Sequence, residues 1–186
     1  MSWASAEQVL LEASKSPELA AALVCAASLA LGGCTTGAFA RKAAGKGAER
    51  AAIEALVASE ALRMRVPVSL ALAVAHAESN FDPRAESLKG ARGVMQIMPR
   101  TALGEYGIAP DLLWHPRVNV RLGLHFLRRL LERYRGRVDL ALSYYNGGSA
   151  VGDLPHARVI PATARYVARV KRLRRYYSER LAKETI

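Results

Sequence analysis

Cysteine is nearly absent from this chain. The two that occur, Cys25 and Cys34, both lie near the N-terminus. No disulfide can therefore staple the main body, and no Cys/His spacing has the rhythm of a zinc site. The four histidines, His76, His115, His125 and His156, are scattered as well, so neither a metal nor any other cofactor is expected. No apolar run reaches the ~20 residues a membrane-spanning helix needs. Strand-like alternation is scarce and no internal repeat is visible. Acidic residues are few: 16, against 27 lysines and arginines, for a net charge of +11 over 186 residues. That imbalance implies an anionic partner, which on charge alone is a nucleic acid, a membrane surface or a carboxylate-bearing polymer.

What the chain does have is aliphatic material. Its hydrophobic content is 51%, much of it alanine and leucine, which favours helix and suffices for one cored domain. The fold class expected is all-α. "LAAALVCAASLAL", Leu19 to Leu31, has the length of a signal-peptide core, and "LALGGC" after it reads as a lipobox with Cys34 as the lipidated residue. Glu7, Glu12, Lys15 and Glu18 precede the run where positive charge is the rule, and an alanine-rich helix of the folded domain is the competing reading. The expected organisation is a signal peptide and lipobox over 1–34, a linker over 35–47 ("TTGAFARKAAGKG") and the main folded domain over 48–186.

Within that domain the periodicity predicts a first helix from Ala48 to near Arg65. Ile53, Leu56 and Val57 lie on its inner face, and Glu49, Arg50 and Glu54 outside. A second helix starts at Pro67 and is stopped by Asp82-Pro83. A turn-rich loop runs from Phe81 to Gly93, and a short helix opens near Pro99. Val118 to Tyr134 carries the stripe Val120, Leu124, Leu127 and Leu131, with Arg121, Arg128 and Glu132 outside. Val138 to Tyr145 and Thr163 to Lys183 complete the set. The last helix has Tyr166, Val170, Leu173, Tyr177 and Leu181 on one face.

One residue breaks the apolar logic. "VPVSLALAVA" reads as core, yet it runs into "HAESNF" and the carboxyl group of Glu78. Burial and the negative end of the helix dipole both disfavour the anion there. A carboxylic acid still protonated near neutral pH can serve as a general acid towards a glycosidic oxygen. A surface glutamate at a helix end is the plain alternative.

Four strings then follow in order: "ESNFDPRAES", "GARGVMQIMPRTA", "VNVRLGLHFLRRLLERY" and "ALSYYNGG". Together they resemble the lytic transglycosylases of the soluble type, peptidoglycan-cleaving enzymes with a goose-type lysozyme-like fold. The resemblance runs from about Ala51 to Tyr177. It implies that Glu78 is the catalytic acid/base, that Ser87 hydrogen-bonds near that acid, and that Gln96 and Met98 line the sugar cleft. It also implies that Tyr145 and Asn146 form the tyrosine–asparagine pair whose hydroxyl lies close to the carboxylate. Two positions depart from the pattern: Ala162 stands where an acid is common, and Tyr144 where a small residue is usual.

Glycosidases commonly flank the scissile bond with two carboxylates. Asp82 and Glu86 are nearest in sequence, but both sit in a polar loop. The resemblance implies a single carboxyl group working as acid and then base, with 1,6-anhydro-N-acetylmuramic acid as product. A lysozyme-type hydrolase on the same fold is one alternative, and a non-catalytic wall-binding or secretion-apparatus protein another. The partners expected are peptidoglycan glycan strands, a membrane through a lipid anchor, and cell-envelope machinery, at the periplasmic face of the envelope. "RYVARVKRLRRYYSERLAK" could suggest nucleic-acid binding. No groove-reading motif accompanies it, so it reads as a solvated helix face and no nucleic-acid partner is expected.

Overall fold

The computed structural model describes residues 36–184. Among these there is no strand, only isolated bridges pairing Arg92 with Glu86 and with Ile97. Six α-helices follow in order: α1 (Thr36–Arg63), α2 (Val68–Ser79), α3 (Pro99–Tyr106), α4 (Pro116–Arg133), α5 (Val138–Gly147) and α6 (Ala164–Glu184). Short 3-10 turns cover Pro110–Trp114, Gly148–Val151 and Pro161–Thr163. The described residues from Gly47 onward form one compact unit. None of the described helices is long and apolar enough to cross a membrane.

Helix α1 begins at Thr36, whereas "TTGAFARKAAGKG" suggested a linker as far as Gly47. Alanine, lysine and arginine are strong helix formers. Each helical glycine costs only ~1 kcal/mol against alanine, so Gly45 and Gly47 do not break the run. The helix ends as expected, with Arg65 in the left-handed region (φ 56) and the Val66 amide reaching back to the Ala61 carbonyl at 2.9 Å.

Helix α2 is the centre of the molecule. Leu70 to Ala75 and Ala77 are all buried, and its alanines let α6 pack closely against it. It stops at Ser79, earlier than Asp82-Pro83 suggested. Asn80 adopts the left-handed conformation that caps a helix, and its amide bonds the His76 carbonyl at 3.1 Å. Asp82 instead builds an Asx turn, accepting the Arg84 amide at 2.8 Å.

Helix α4 buries Val120, Leu124 and Leu127 as the stripe predicted, but it also buries Arg121. The guanidinium Nε lies 2.9 Å from Oε2 of Glu60, itself only 2% exposed. A charge at the edge of an apolar stripe is drawn inside when the facing helix offers a buried counter-charge. Arg117 adds a second contact to the same carboxylate at 3.4 Å.

The loop from Phe81 to Met98 is held by Asn119, which is fully buried on α4. Its Oδ1 accepts the Met95 amide at 2.7 Å, and its Nδ2 donates to the carbonyls of Arg92 and Leu113 at 2.8 and 3.0 Å. Two glycines make room for this contact. A Cβ on Gly93 (φ +72) would meet Asn119 Nδ2 at 2.5 Å, and one on Gly123 would meet the Met95 Cβ at 2.5 Å.

Candidate active site

Glu78 lies in the last turn of α2. The Tyr166 hydroxyl, from the first turns of α6, donates to its Oε1 at 2.6 Å. That is the length of a charge-assisted O–H···O⁻ bond. Burial pushes the carboxyl group up to about 7, while the Tyr166 hydrogen bond and the positive charge of Arg169 pull it back. Among the described residues, no carboxylate is one of the groups that shift it. Tyr166 itself is pushed well above the usual phenol range by burial and by Glu78, so it remains a donor.

The position of Tyr166 is set from below. Ser143 Oγ on α5 and Thr163 Oγ1 are 2.7 Å apart, and both residues are buried. Ser143 Oγ also accepts the Ile160 amide at 3.2 Å, and Thr163 Oγ1 donates to the Ile160 carbonyl at 3.0 Å. A Cβ on Gly147 would strike Ile160 and Thr163 at 2.7 Å each. Helix α5 therefore clamps the start of α6, and with it the tyrosine.

The neighbour of the acid is fixed as well. Ser79 Oγ donates to the Val94 carbonyl at 2.8 Å, which ties the end of α2 to the loop that Asn119 holds. Tyr145 Oη donates to the next carbonyl, that of Met95, at 2.8 Å. The sequence had suggested a Tyr145 hydroxyl beside the carboxylate; the hydroxyl bonded to Glu78 is that of Tyr166. Tyr145 still senses the site, because Glu78, after burial, helps to raise its ionisation.

The remaining expected site residues divide. Ser87 Oγ accepts the Ala91 amide at 3.0 Å and shapes its own turn. Gln96, at φ 48, donates through Nε2 to the carbonyls of Ala85 and Gly93, each at 3.0 Å. Both brace the loop beneath the acid. Met98 is half-buried at the start of α3, and Asn146 is exposed on the last turn of α5. Glu86 is engaged with Arg92 at 3.6 Å and Asp82 is exposed. Cys34 lies outside the described residues. Tyr166, Arg169 and Asn119 were not singled out from sequence as site residues. The "RYV" of "PATARYV" and the asparagine of "VNVRLG" were the available signals.

Among the described residues the scaffold is helical, and it seats one raised carboxyl group beside a tyrosine hydroxyl. Residues 55–153 match the family model of the transglycosylase SLT domain, and the chain belongs to that family. It is 31% identical over 90 residues to the soluble lytic murein transglycosylase of Escherichia coli, covering 45% of this chain and 14% of that protein. It is 34% identical over 109 residues to the membrane-bound lytic murein transglycosylase C of Glaesserella parasuis, covering 50% and 30%. Among solved structures, an inactive mutant of the lytic transglycosylase Slt from Pseudomonas aeruginosa superposes with a TM-score of 0.59 at 28% identity, over 69% of this chain and 24% of that one. The chain thus spans less than a third of each of these relatives, and it shares the lysozyme-like helical fold of the Slt structures.

Proposed function

We propose that this protein is a peptidoglycan lytic transglycosylase with Glu78 as its one acid/base. The observation that supports this most directly is the Glu78 carboxyl group. It is raised to about 7 by burial, held on one oxygen by Tyr166, and among the described residues no second carboxylate shifts it. Two-carboxylate hydrolysis needs a partner acid across the bond. A single titrating group suits a reaction in which the substrate supplies its own nucleophile.

In the first step Glu78 donates its proton to the glycosidic oxygen as the bond from C1 of N-acetylmuramic acid breaks. The carbonyl oxygen of the sugar's own N-acetyl group closes on C1. Glu78 is now an anion, and the Tyr166 hydroxyl and Arg169 charge stabilise it. In the second step that carboxylate takes the proton of the C6 hydroxyl, whose oxygen attacks C1 and displaces the acetamido oxygen. The product is the 1,6-anhydro sugar, Glu78 is protonated again, and no water is consumed.

Peptidoglycan as substrate puts the site of action in the cell envelope. Lipidation of Cys34 and docking to envelope machinery belong to the same reading. Mass spectrometry of the native protein tests the first: an intact N-terminus with a free Cys34 thiol rules it out. The activity is tested by digesting purified sacculi and identifying the released ends. Anhydro ends from wild type, and their loss by at least ~10²-fold in Glu78→Gln, are expected. Reducing ends would mean a lysozyme, and undiminished turnover by Glu78→Gln would remove the site assignment.

A further inference from the structure

Helix α6 carries more than Tyr166. Arg165, Arg169 and Arg172 recur at helical spacing on one exposed face, flanked by Lys171 and Arg175, which are also exposed, and by half-buried Arg174. They span roughly 10 Å of helix between Arg165 and Arg172 at ~1.5 Å per residue. Among the described residues none of these six makes an ion pair. Arg128, Arg129, Arg133, Arg137 and Arg180, by contrast, each have a carboxylate within 4.0 Å. Like charges one helical turn apart are destabilising, and no acid stands in the first turn of the helix to offset them. The stripe passes Glu78 at its middle member: Arg169 is close enough to act on that carboxyl group electrostatically, and Tyr166 on the same helix hydrogen-bonds it.

We infer that the Arg165–Arg169–Arg172 stripe of α6 is a binding surface for the carboxylates of the stem peptide carried by the reacting muramic acid. This rests on the proposed activity and names what lies beside the scissile bond. In peptidoglycan the sugar whose C1 reacts also bears the peptide, on the lactyl ether at its C3. A strand seated with C1 at Glu78 therefore brings free carboxylates within a few sugar-ring widths of the reacting atom. The arginine forks match carboxylates in geometry as well as charge. An anionic lipid or a nucleic acid would answer the charge, but neither has a reason to pass beside the catalytic carboxyl group.

The test uses the full chain and two substrates: peptide-bearing glycan strands, and the same strands stripped of peptide by an amidase. The readout is the ratio of kcat/KM for anhydro-product formation on the two. Wild type should prefer peptide-bearing strands, and the preference should shrink with added salt. Arg165→Gln/Arg172→Gln, which leaves Arg169 beside Glu78 intact, should lower that ratio roughly three- to tenfold. Equal rates on both strands in wild type, or a preference that survives the double substitution, would overturn the inference. Sedimentation of the Glu78→Gln protein with the two strands reads the same preference as binding. A failure of the catalytic proposal would therefore not hide the answer. Loss of binding to phosphatidylglycerol vesicles or duplex DNA in the double variant, with the strand preference unchanged, would reassign the stripe to that partner and equally overturn the inference.

Discussion

Replacing Tyr166 with phenylalanine removes one hydroxyl and leaves the ring. The atom lost is the donor 2.6 Å from Glu78 Oε1. A hydrogen bond to a charged group contributes about 1.5–3 kcal/mol, and ~1.4 kcal/mol corresponds to one pH unit. The Glu78 carboxyl group should therefore titrate roughly one to two pH units higher than in wild type, where it sits at about 7. The sign follows from which form is stabilised. Tyr166 favours the anion, so its loss favours the acid. In wild type the rate should fall as pH rises through about 7, because the first step needs the protonated carboxyl group. In Tyr166→Phe that falling limb should move to higher pH while the maximal rate drops, since the carboxylate left after proton donation has lost its partner. A pH profile of anhydro-product release, together with a 13C-NMR titration of the glutamate carboxyl groups, measures both. A limb that stays in place, or moves towards acid, would refute the role given to the hydroxyl.

The same carboxyl group makes stability depend on pH. Its folded value of about 7 exceeds the ordinary 4.5, so the folded state holds more protons between them and stability falls as pH rises through that window. Glu78→Gln lacks this dependence. Thermal unfolding should find it close to wild type near pH 4 and more stable at pH 8, by at most about 3 kcal/mol. Asn119→Ala removes three hydrogen bonds and leaves the Met95 amide buried without its acceptor. Urea unfolding should show a loss of about 3 kcal/mol. Arg121→Met leaves the buried Glu60 with only the longer Arg117 contact. It should cost about 3 kcal/mol, most of which Glu60→Leu in the same chain restores, as a double-mutant cycle would report.

How much of this was legible in the sequence depended on range. Helices α4 and α6 show in their apolar stripes, and the end of α1 shows at Arg65 because turn chemistry is local. Glu78 was legible too, as a lone carboxyl group at the end of an apolar run. What was not legible needed a partner far along the chain. Arg121 looks like a solvent-facing arginine until Glu60 is found opposite it. Tyr166 and Tyr145 are both tyrosines on amphipathic faces, and only the tertiary packing decides which hydroxyl meets the acid and which meets the Met95 carbonyl. In the "TTGAFARKAAGKG" stretch the glycines and charges suggested a linker, and its alanines carry it as helix from Thr36.

The buried hydroxyl pair of Ser143 and Thr163 acts as a phase setting. A helix turns about 100° per residue, so whatever fixes the first residue of α6 fixes the bearing of every side chain after it. One bearing holds Tyr166 on the carboxyl group, and another holds the arginines out to solvent. Because both bearings are set at the root of the helix, the outward residues can be exchanged without turning the inward one. The surface that greets a new polymer can drift, and the acid keeps its aim.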